Sequence, residues 1–447
     1  MLSDTASLGA EIRATVRLAL PLVLTQLAAI SVNVVEIGMA GRLDARVMGA
    51  VAVGANVWFF AVMGLLGVMM ALSPNVAQLD GAGRRAEAAG LFRQSLWLAG
   101  AVGVFAFVVM QGGAPLVVHG IGIDAGLAED AMAFIRSSSW GAPAIAGYVG
   151  CRGLTEGLSM PRPSLGFGLL GLAVLFPAGW VLLFVFGLGA EGMGWAMTLT
   201  AWVQFFAFLG FIRQSPRYRD LDWASGRRGP DAAVLWGLFR LGGPMAVSLL
   251  MESGLFNSTA LVIGRFGDVA VAGHQIALSV ASVTFMVPLG FAIATSVRVG
   301  NAVGQGDYGK VRRAALIGLA LALVSQIGAA ALMLTVPFGI AGLYAADPAV
   351  VAFGGGLLFL AALFQLSDGA QCVAAAALRG LKDTRGPMLI TMIAYWGIGM
   401  PVGMWLTFSQ AWGPPGMWAG LIAGLSAAAV LLWWRFARLS AGLLRGR

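Results

Sequence analysis

The chain has 447 residues, of which 59% are hydrophobic and only 11% charged, whereas about a quarter of the residues in an average soluble domain are charged. This composition excludes an ordinary soluble globular protein and predicts a protein that crosses a membrane several times. The net charge of +8 is compatible with a nucleic-acid partner only if the basic residues cluster in one patch.

Long apolar runs, separated by Gly, Pro and charge clusters, predict twelve transmembrane helices and therefore an all-α polytopic fold. The predicted spans are residues 16–40, 47–72, 90–112, 131–151, 164–187, 192–213, 238–263, 270–297, 311–336, 354–379, 388–408 and 416–439.

Basic residues lie mainly on one side of these spans. If the N-terminus is inside, the inside segments hold 24 of the 28 Lys and Arg residues. The positive-inside rule then predicts that both termini are cytoplasmic. The basic excess serves orientation and contact with anionic membrane lipid. Because no basic patch is interleaved with aromatic residues, we expect no nucleic-acid partner.

The chain contains two repeats, an N-terminal lobe at 1–213 and a C-terminal lobe at 238–447, joined by a cytoplasmic linker at 214–237. Three pairs of positions share one offset in residue number, which we call the repeat offset: Pro21 with Pro244, Gly41 with Gly264, and Gly81 with Gly304. The Arg-Gly pair at 152–153 matches the one at 379–380 with a slightly larger offset, which predicts a small gap. Six helices per lobe give a parallel repeat, the architecture of transporters that open a central cleft alternately to each side.

Three acids lie inside predicted spans and away from their ends: Glu36, Glu252 and Asp368. Glu252 and Asp368 are each 14 residues from one end of their spans, so both lie about 21 Å deep, near mid-membrane. Since they belong to the same lobe, we expect them to meet. Glu36, with Asn33 on its helical face, belongs to the other lobe and lies closer to the outer surface.

An ionisable residue inside the membrane is a functional-site hypothesis by default, although helix-to-helix hydrogen bonds could also satisfy such an acid. At helical spacing, Asp368 has Phe364, Gln365 and Gln371 as neighbours. No Lys or Arg lies deep enough to neutralise these acids, so they are either protonated or paired with a bound cation. Burial and a like-charged neighbour favour protonation, while two carboxylates with glutamine oxygens also suit sodium. The chemistry implied is exchange of a coupling cation for a cationic substrate.

Motifs spread over the whole chain occur in a specific order and spacing. They are Leu20-Pro21, Glu36 with Met39 and Gly41, Glu252 with Phe256, Gly273-His274-Gln275, Gln365 with Asp368, Leu378-Arg379-Gly380 with Lys382-Asp383-Thr384, and Tyr395-Trp396 with Gly399 and Pro401. In this arrangement the chain resembles the multidrug and toxic compound extrusion (MATE) family, and within it the bacterial NorM-like branch.

The resemblance implies an antiporter that exports organic cations against a proton or sodium gradient, with no cofactor beyond the coupling ion, no ATPase subunit and no enzymatic activity. It implies that Glu252 and Asp368 form the cation site, and bind the metal if sodium is the coupling ion, with Tyr395 as a hydrogen-bond partner of Asp368. Glu36 stands where the family usually has an aspartate. The candidate substrate contacts are Asn33, Phe256, Gln275, Phe364, Gln365 and Gln371. Richness in Ala, Gly and Arg suggests a bacterial genome and thus the cytoplasmic (inner) membrane.

Three positions depart from the NorM-like pattern. Leu175 and Gly179 stand in the fifth span, where members often carry asparagines, and Phe364 stands where they often carry a tyrosine. Each change removes an oxygen that could hold sodium, which favours protons as the coupling ion.

Two other functions are compatible with a polytopic fold. A flippase for lipid-linked precursors, from the same superfamily, would favour a cationic cleft, whereas the intramembrane charge here is acidic. An intramembrane enzyme would need paired His, a metal constellation or an activated nucleophile at depth, and the chain has only two His residues.

Overall fold

The computed structural model describes residues 2–120, 124–223 and 229–445. Every regular element in these ranges is helical, which confirms the predicted fold class. Helices suit a chain that crosses a membrane, because a helix satisfies its backbone hydrogen bonds internally in lipid. The α-helices are α1 (Leu2–Leu43), α2 (Ala45–Met69), α3 (Leu72–Gly81), α4 (Ala88–Gly120), α5 (Ala125–Ser139), α6 (Ala142–Gly157), α7 (Arg162–Trp180), α8 (Gly189–Gln214), α9 (Ala232–Ile263), α10 (Asp268–Gly304), α11 (Tyr308–Thr335), α12 (Pro337–Gly342), α13 (Pro348–Gly380), α14 (Arg385–Met392), α15 (Met400–Met404) and α16 (Pro414–Arg445).

Shorter helical segments complete the list. Three are 3₁₀-helices, at Arg85–Glu87, Pro216–Tyr218 and Gly264–Phe266, and three are π-helical, at Val181–Val185, Ile393–Gly399 and Trp405–Ser409.

Eleven helices within the described ranges are long and apolar enough to cross a membrane. The remaining predicted span, 131–151, is built from α5 and α6, which are too short to cross singly and are separated by Trp140 and Gly141. Pro143, in the first turn of α6, explains the break, because proline lacks the N–H that would bond to the preceding turn. With this interrupted span, the predicted twelve helices are accounted for.

The described residues form two compact units. The Asp368 unit comprises the described residues of Met1–Gln26 together with Ser248–Arg447, and the Glu36 unit comprises Leu27–Val247. The boundaries fall inside α1 and α9 and not in the linker. The packing units are therefore a different division from the sequence repeat, and the lobes at 1–213 and 238–447 stay a prediction about the repeat.

Each unit contains the same helix crossing at a glycine. In the Glu36 unit, a Cβ atom on Gly67 of α2 would overlap the backbone of Ala246 on α9. In the Asp368 unit, a Cβ atom on Gly290 of α10 would overlap Val23 on α1. Gly67 and Gly290 are separated by the repeat offset, and so are Val23 and Ala246. Because the first part of α1 packs on α10, it belongs to the Asp368 unit, and because the first part of α9 packs on α2, it belongs to the Glu36 unit.

The larger offset expected from the two Arg-Gly pairs is wrong. A Cβ atom on Gly157 would lie 2.8 Å from the carbonyl oxygen of Ser73, and one on Gly380 would lie 2.8 Å from that of Ser296. These two contacts are related by the repeat offset, so the register continues without a gap. Arginine is common near helix ends, so two Arg-Gly pairs can match in sequence without being equivalent in the repeat. The equivalent glycines are identified by their tertiary contacts.

The linker begins where α8 ends, at Gln214, and its residues 224–228 lie outside the described residues. Its last part packs on α4, where the Gln94 side chain donates to the carbonyl oxygen of Gly229 over 2.9 Å and accepts from the backbone N–H of Asp231 over 2.8 Å. Helix α9 follows directly, from Ala232.

Candidate functional site

Four polar side chains meet inside the Asp368 unit, and we call them the carboxylate cluster. They are Glu252 of α9, Asp368 and Gln371 of α13, and Tyr395 of the π-helical segment Ile393–Gly399. Asp368, Gln371 and Tyr395 are at most 4% exposed, and Glu252 is half-buried. Most of the residues of α13 are apolar, so the cluster lies in an apolar environment that strengthens electrostatic interactions.

Gln371 joins the two carboxylates. Its side-chain nitrogen donates to Oδ1 of Asp368 over 3.2 Å and to Oε1 of Glu252 over 3.4 Å. One amide group thus serves as the common donor of two acids from different helices, and the remaining carboxylate lone pairs are available to a proton or another cation. The structure brings Glu252 and Asp368 together at one site.

Tyr395 contacts the site differently from what the resemblance implied. Its hydroxyl donates to Oε1 of Gln371 over 2.9 Å, and not to Asp368, because Gln371 stands one turn further along α13 and presents a free acceptor. This bond fixes the Gln371 amide with its nitrogen towards the acids. Tyr395 lies within Ile393–Gly399, and π-helical turns occur frequently at functional sites.

Trp396, next to Tyr395, holds the α9 backbone beside Glu252. Its indole N–H donates to the carbonyl oxygen of Met251 over 3.3 Å. A Cβ atom on Gly254 would lie 3.2 Å from the same indole ring. The π-helical segment therefore positions both Gln371 and Glu252.

An aromatic wall lies one turn before Asp368. The ring of Phe364 is 2% exposed and packs edge-on against Phe256 at 5.9 Å and against Trp418 at 5.7 Å between centroids. Phe256 and Phe364 were predicted from sequence as substrate contacts, whereas Trp418 was missed. The wall presents rings and no hydroxyl to this side of the cluster.

Gln365, another predicted substrate contact, is fully buried between helices. Its side-chain nitrogen donates to the Ala281 carbonyl over 3.0 Å and to the Thr284 hydroxyl over 2.6 Å, and its Oε1 accepts from Gln326 over 2.5 Å. These bonds connect α10, α11 and α13. Sequence reasoning missed Gln326, although a lone amide in an apolar span is a signal of helix-to-helix hydrogen bonding.

The expectation that no Lys or Arg lies deep enough to neutralise the acids stays a prediction, and the one basic residue of α13 lies at its end. Arg379 is in the last turn of α13, about three turns after Asp368 and on nearly the same face of the helix. The repeat offset places Arg379 opposite Glu156, which pairs with Arg152 at 3.0 Å in the other unit. The two units thus carry opposite charges at this repeat position, which the incorrect larger offset concealed.

The Glu36 unit contains the other predicted acid. Glu36 is 2% exposed, and its Oε1 has no hydrogen-bond partner among the described residues, while Asn33 is exposed. In the fifth span, Leu175 is buried and a Cβ atom on Gly179 would lie 2.9 Å from the terminal carbon of Met39. Apolar side chains therefore fill both departing positions of the fifth span: Leu175 itself, and Met39 beside Gly179.

The donor set of the carboxylate cluster limits what it can hold. Across the described ranges, no group of three or more His, Cys, Asp and Glu side chains is placed to bind a metal ion. Glu252 and Asp368 are sufficient to bind a proton, whereas a hard metal cation would need several more oxygen ligands. Oε1 of Gln371 accepts one hydrogen bond from Tyr395 and keeps a second lone pair. Gln275, a predicted substrate contact on α10, is exposed.

Comparison with protein families gives one family model, whose matches together cover most of the chain. The family model MatE matches twice, at residues 21–181 and 244–405. The starts of the two matched segments are separated by the repeat offset, the same offset that relates the two helix crossings.

Curated relatives are similar over nearly their full length. The chain is 42% identical to the "Probable multidrug resistance protein NorM" of Xanthomonas campestris pv. campestris over 448 aligned residues, covering 99% of this chain and 98% of the relative. It is 39% identical to the protein of the same name from Xylella fastidiosa, covering 98% of this chain and 94% of the relative.

Solved structures share the fold. The eukaryotic MATE transporter AtDTX14 superposes with a TM-score of 0.87 at 20% identity, covering 97% of this chain and 98% of that one. A multidrug resistance MATE family transporter of the MOP superfamily, in an outward-facing conformation, gives 0.88 at 20% identity and covers 97% of both chains. At this level of identity the likeness concerns the fold alone.

Proposed function

The chain belongs to the MatE family, and from this premise we propose that it is a secondary antiporter that exports organic cations and drugs in exchange for H⁺ or Na⁺. The proposal agrees with the names of its relatives, which are multidrug resistance proteins. We place it in the bacterial inner membrane with both termini in the cytoplasm, because most Lys and Arg residues fall on that side of the predicted spans.

One observation carries the proposal: two carboxylates from different helices share the Gln371 amide inside an apolar unit. Charges in such surroundings are costly unless they are paired or neutralised. A site of this kind binds a cation readily and changes its charge when the cation leaves. It is therefore suited to a substrate and a coupling ion that compete for the same negative charge.

The transport cycle follows from this competition. With Glu252 and Asp368 ionised, their negative charge attracts an organic cation from the cytoplasmic side. When protons or a sodium ion bind the carboxylates from the outside, their negative charge is reduced and the organic cation is released there. Alternating access by the two repeats then returns the loaded carboxylates to the inside, where the coupling ion leaves.

The test is export of a fluorescent organic cation from proteoliposomes that contain the full chain. A sodium gradient is imposed at equal pH, or a pH gradient without sodium. We expect one of the two gradients to drive export without ATP. If neither does, the antiport proposal is wrong, and transport of a lipid-linked anionic precursor should be measured next.

Charge-neutralising variants identify the site. We expect Asp368→Asn and Glu252→Gln each to reduce gradient-driven export by at least about tenfold, because each removes one of the two carboxylate charges to which Gln371 donates a hydrogen bond. The matched control is Glu129→Gln, which neutralises an exposed acid on α5. Export by Asp368→Asn at the parental rate would show that the carboxylate cluster is not the coupling site.

A further inference from the structure

Gln326 of α11 lies across the backbone of α13 one turn from Asp368. Its side-chain nitrogen donates to Oε1 of Gln365 over 2.5 Å and to the Gln365 carbonyl oxygen over 3.2 Å. Its Cγ atom lies 2.9 Å from the position that a Cβ atom on Gly369 would take. Gln326 therefore occupies a slot formed by Gln365 and the glycine one turn later.

The slot is fully buried and extends to a third helix. Gln326 and Gln365 are both 0% exposed, and the Gln365 nitrogen continues the chain of hydrogen bonds to Thr284 and Ala281 on α10. A buried amide that loses its partner has a high cost. The network thus holds α13 at one rotation relative to α10 and α11.

This rotation decides where the acid points. With about 3.6 residues per turn, Asp368 is displaced by about 60° from Gln365 around the α13 axis, and Gln371 by about 120° in the same sense. The network and the carboxylate cluster therefore lie on different faces of α13 at nearly the same height. A rotation of α13 that the network prevents would separate Asp368 from Glu252.

We propose that Gln326 is a positioning residue that sets the affinity of Asp368 and Glu252 for the coupling ion by holding the rotation of α13. The proposal rests on the antiport function proposed above. It assigns no contact between Gln326 and the ion, since Gln326 acts through Gln365.

The Glu36 unit supplies a matched control with the same local arrangement. Gln204 of α8 donates to the carbonyl oxygen of Phe167 over 2.8 Å, and its nitrogen occupies the position that a Cβ atom on Gly171 would take. Here too a glutamine crosses a slot formed by a residue and the glycine one turn later. Gln204 belongs to the other unit, so its loss tests the general cost of removing such a contact.

The experiment compares Gln326→Met with Gln204→Met, because methionine keeps the length of the side chain and removes its hydrogen bonds. Export from proteoliposomes is measured over a range of coupling-ion concentrations. We expect Gln326→Met to shift the half-maximal concentration by about tenfold, with maximal export changed less. Gln204→Met should leave the half-maximal concentration unchanged.

A second readout does not depend on transport. Cys372 is 8% exposed and packs with Ala292 of α10 and Ala322 of α11, so it reports on the face of α13 that the network holds. In a Cys151→Ala background it is the only cysteine of the chain. We expect Gln326→Met to accelerate maleimide labelling of Cys372 and Gln204→Met to leave it unchanged.

The two readouts separate the possible outcomes. Unchanged labelling together with an unchanged half-maximal concentration would overturn the positioning role. If the parent exports nothing under either gradient, the antiport proposal fails, whereas the labelling still tests whether Gln326 holds α13. If Gln326→Met does not fold, Thr284→Val removes the hydrogen bond from Gln365 to the Thr284 hydroxyl and should give the same two shifts, and their absence would contradict the proposal.

Discussion

The hydroxyl of Tyr395 donates a hydrogen bond to the side-chain oxygen of Gln371 over 2.9 Å. An amide oxygen that is held in this way forces the amide nitrogen to the opposite side, where Glu252 and Asp368 lie. Tyr395 therefore acts on the two acids through the orientation of Gln371, since its hydroxyl donates to Gln371 and to neither acid.

Removing this bond should weaken the arrangement without destroying it. In Tyr395→Phe the Gln371 amide can turn, so that its nitrogen no longer faces both acids. One buried hydrogen bond contributes about 1 kcal/mol, and we therefore expect the half-maximal coupling-ion concentration for export to change by about fivefold. Tyr344→Phe, at a side chain that is 51% exposed, is the control. Equal ion dependence of both variants would contradict the role of Tyr395.

The meeting of the two acids could be predicted because it depends on local geometry, whereas their depth in the membrane stays a prediction. A rise of about 1.5 Å per residue along two helices places Glu252 and Asp368 at the same level, and the repeat places them in one lobe. The helical spacing also puts Gln371 beside Asp368. These inferences need only the period of a helix and the thickness of a membrane.

Contacts between helices that are distant in sequence could not be predicted. Gln326 on α11 bonds to Gln365 on α13, and Trp418 on α16 packs against Phe364 on α13. Nothing in the hydrophobic pattern specifies which face of α11 or α16 turns towards α13. The same limit explains the incorrect larger offset, since only the contact of Gly380 with α10 shows which residues are equivalent.

Phe364 provides a test of which ion drives transport. Phe364→Tyr adds a hydroxyl one turn before Asp368, in a wall that otherwise presents only aromatic rings. Because hard cations bind through oxygen ligands, we expect the variant to export more strongly with sodium than the parent does, and less strongly with a proton gradient alone.

The control for this variant is Phe359→Tyr, on the same helix at a side chain that is 41% exposed. Parallel measurements with the two gradients give a sodium-to-proton export ratio for each protein. A ratio for Phe364→Tyr that equals those of the parent and of Phe359→Tyr would show that an oxygen at this position does not influence ion choice.

Arg379 should attract the carboxylates of the cluster and so oppose the binding of cations there, because it carries a positive charge about three turns after Asp368 on nearly the same face of α13. Arg379→Gln removes that charge, and we expect half-maximal export at a coupling-ion concentration about three- to tenfold lower. Arg312→Gln, at an exposed arginine on α11, controls for the change in net charge. An identical shift in both variants would indicate a general surface-charge effect and contradict the specific attraction.

The repeated helix crossing predicts a matched pair of destabilising substitutions. Gly67→Ala and Gly290→Ala each place a methyl group closer than 3.0 Å to an atom of the facing helix, so the helices must separate at a cost of about 1–3 kcal/mol. The control is Gly100→Ala in α4, where no atom lies within 4 Å of the added carbon. This change should stabilise the helix by about 0.5–1 kcal/mol. Thermal unfolding in detergent, followed by loss of monodisperse protein, should therefore give lower midpoints for both crossing variants and an equal or higher midpoint for Gly100→Ala. A normal midpoint for Gly290→Ala beside a lowered one for Gly67→Ala would show that the two crossings are not equally close.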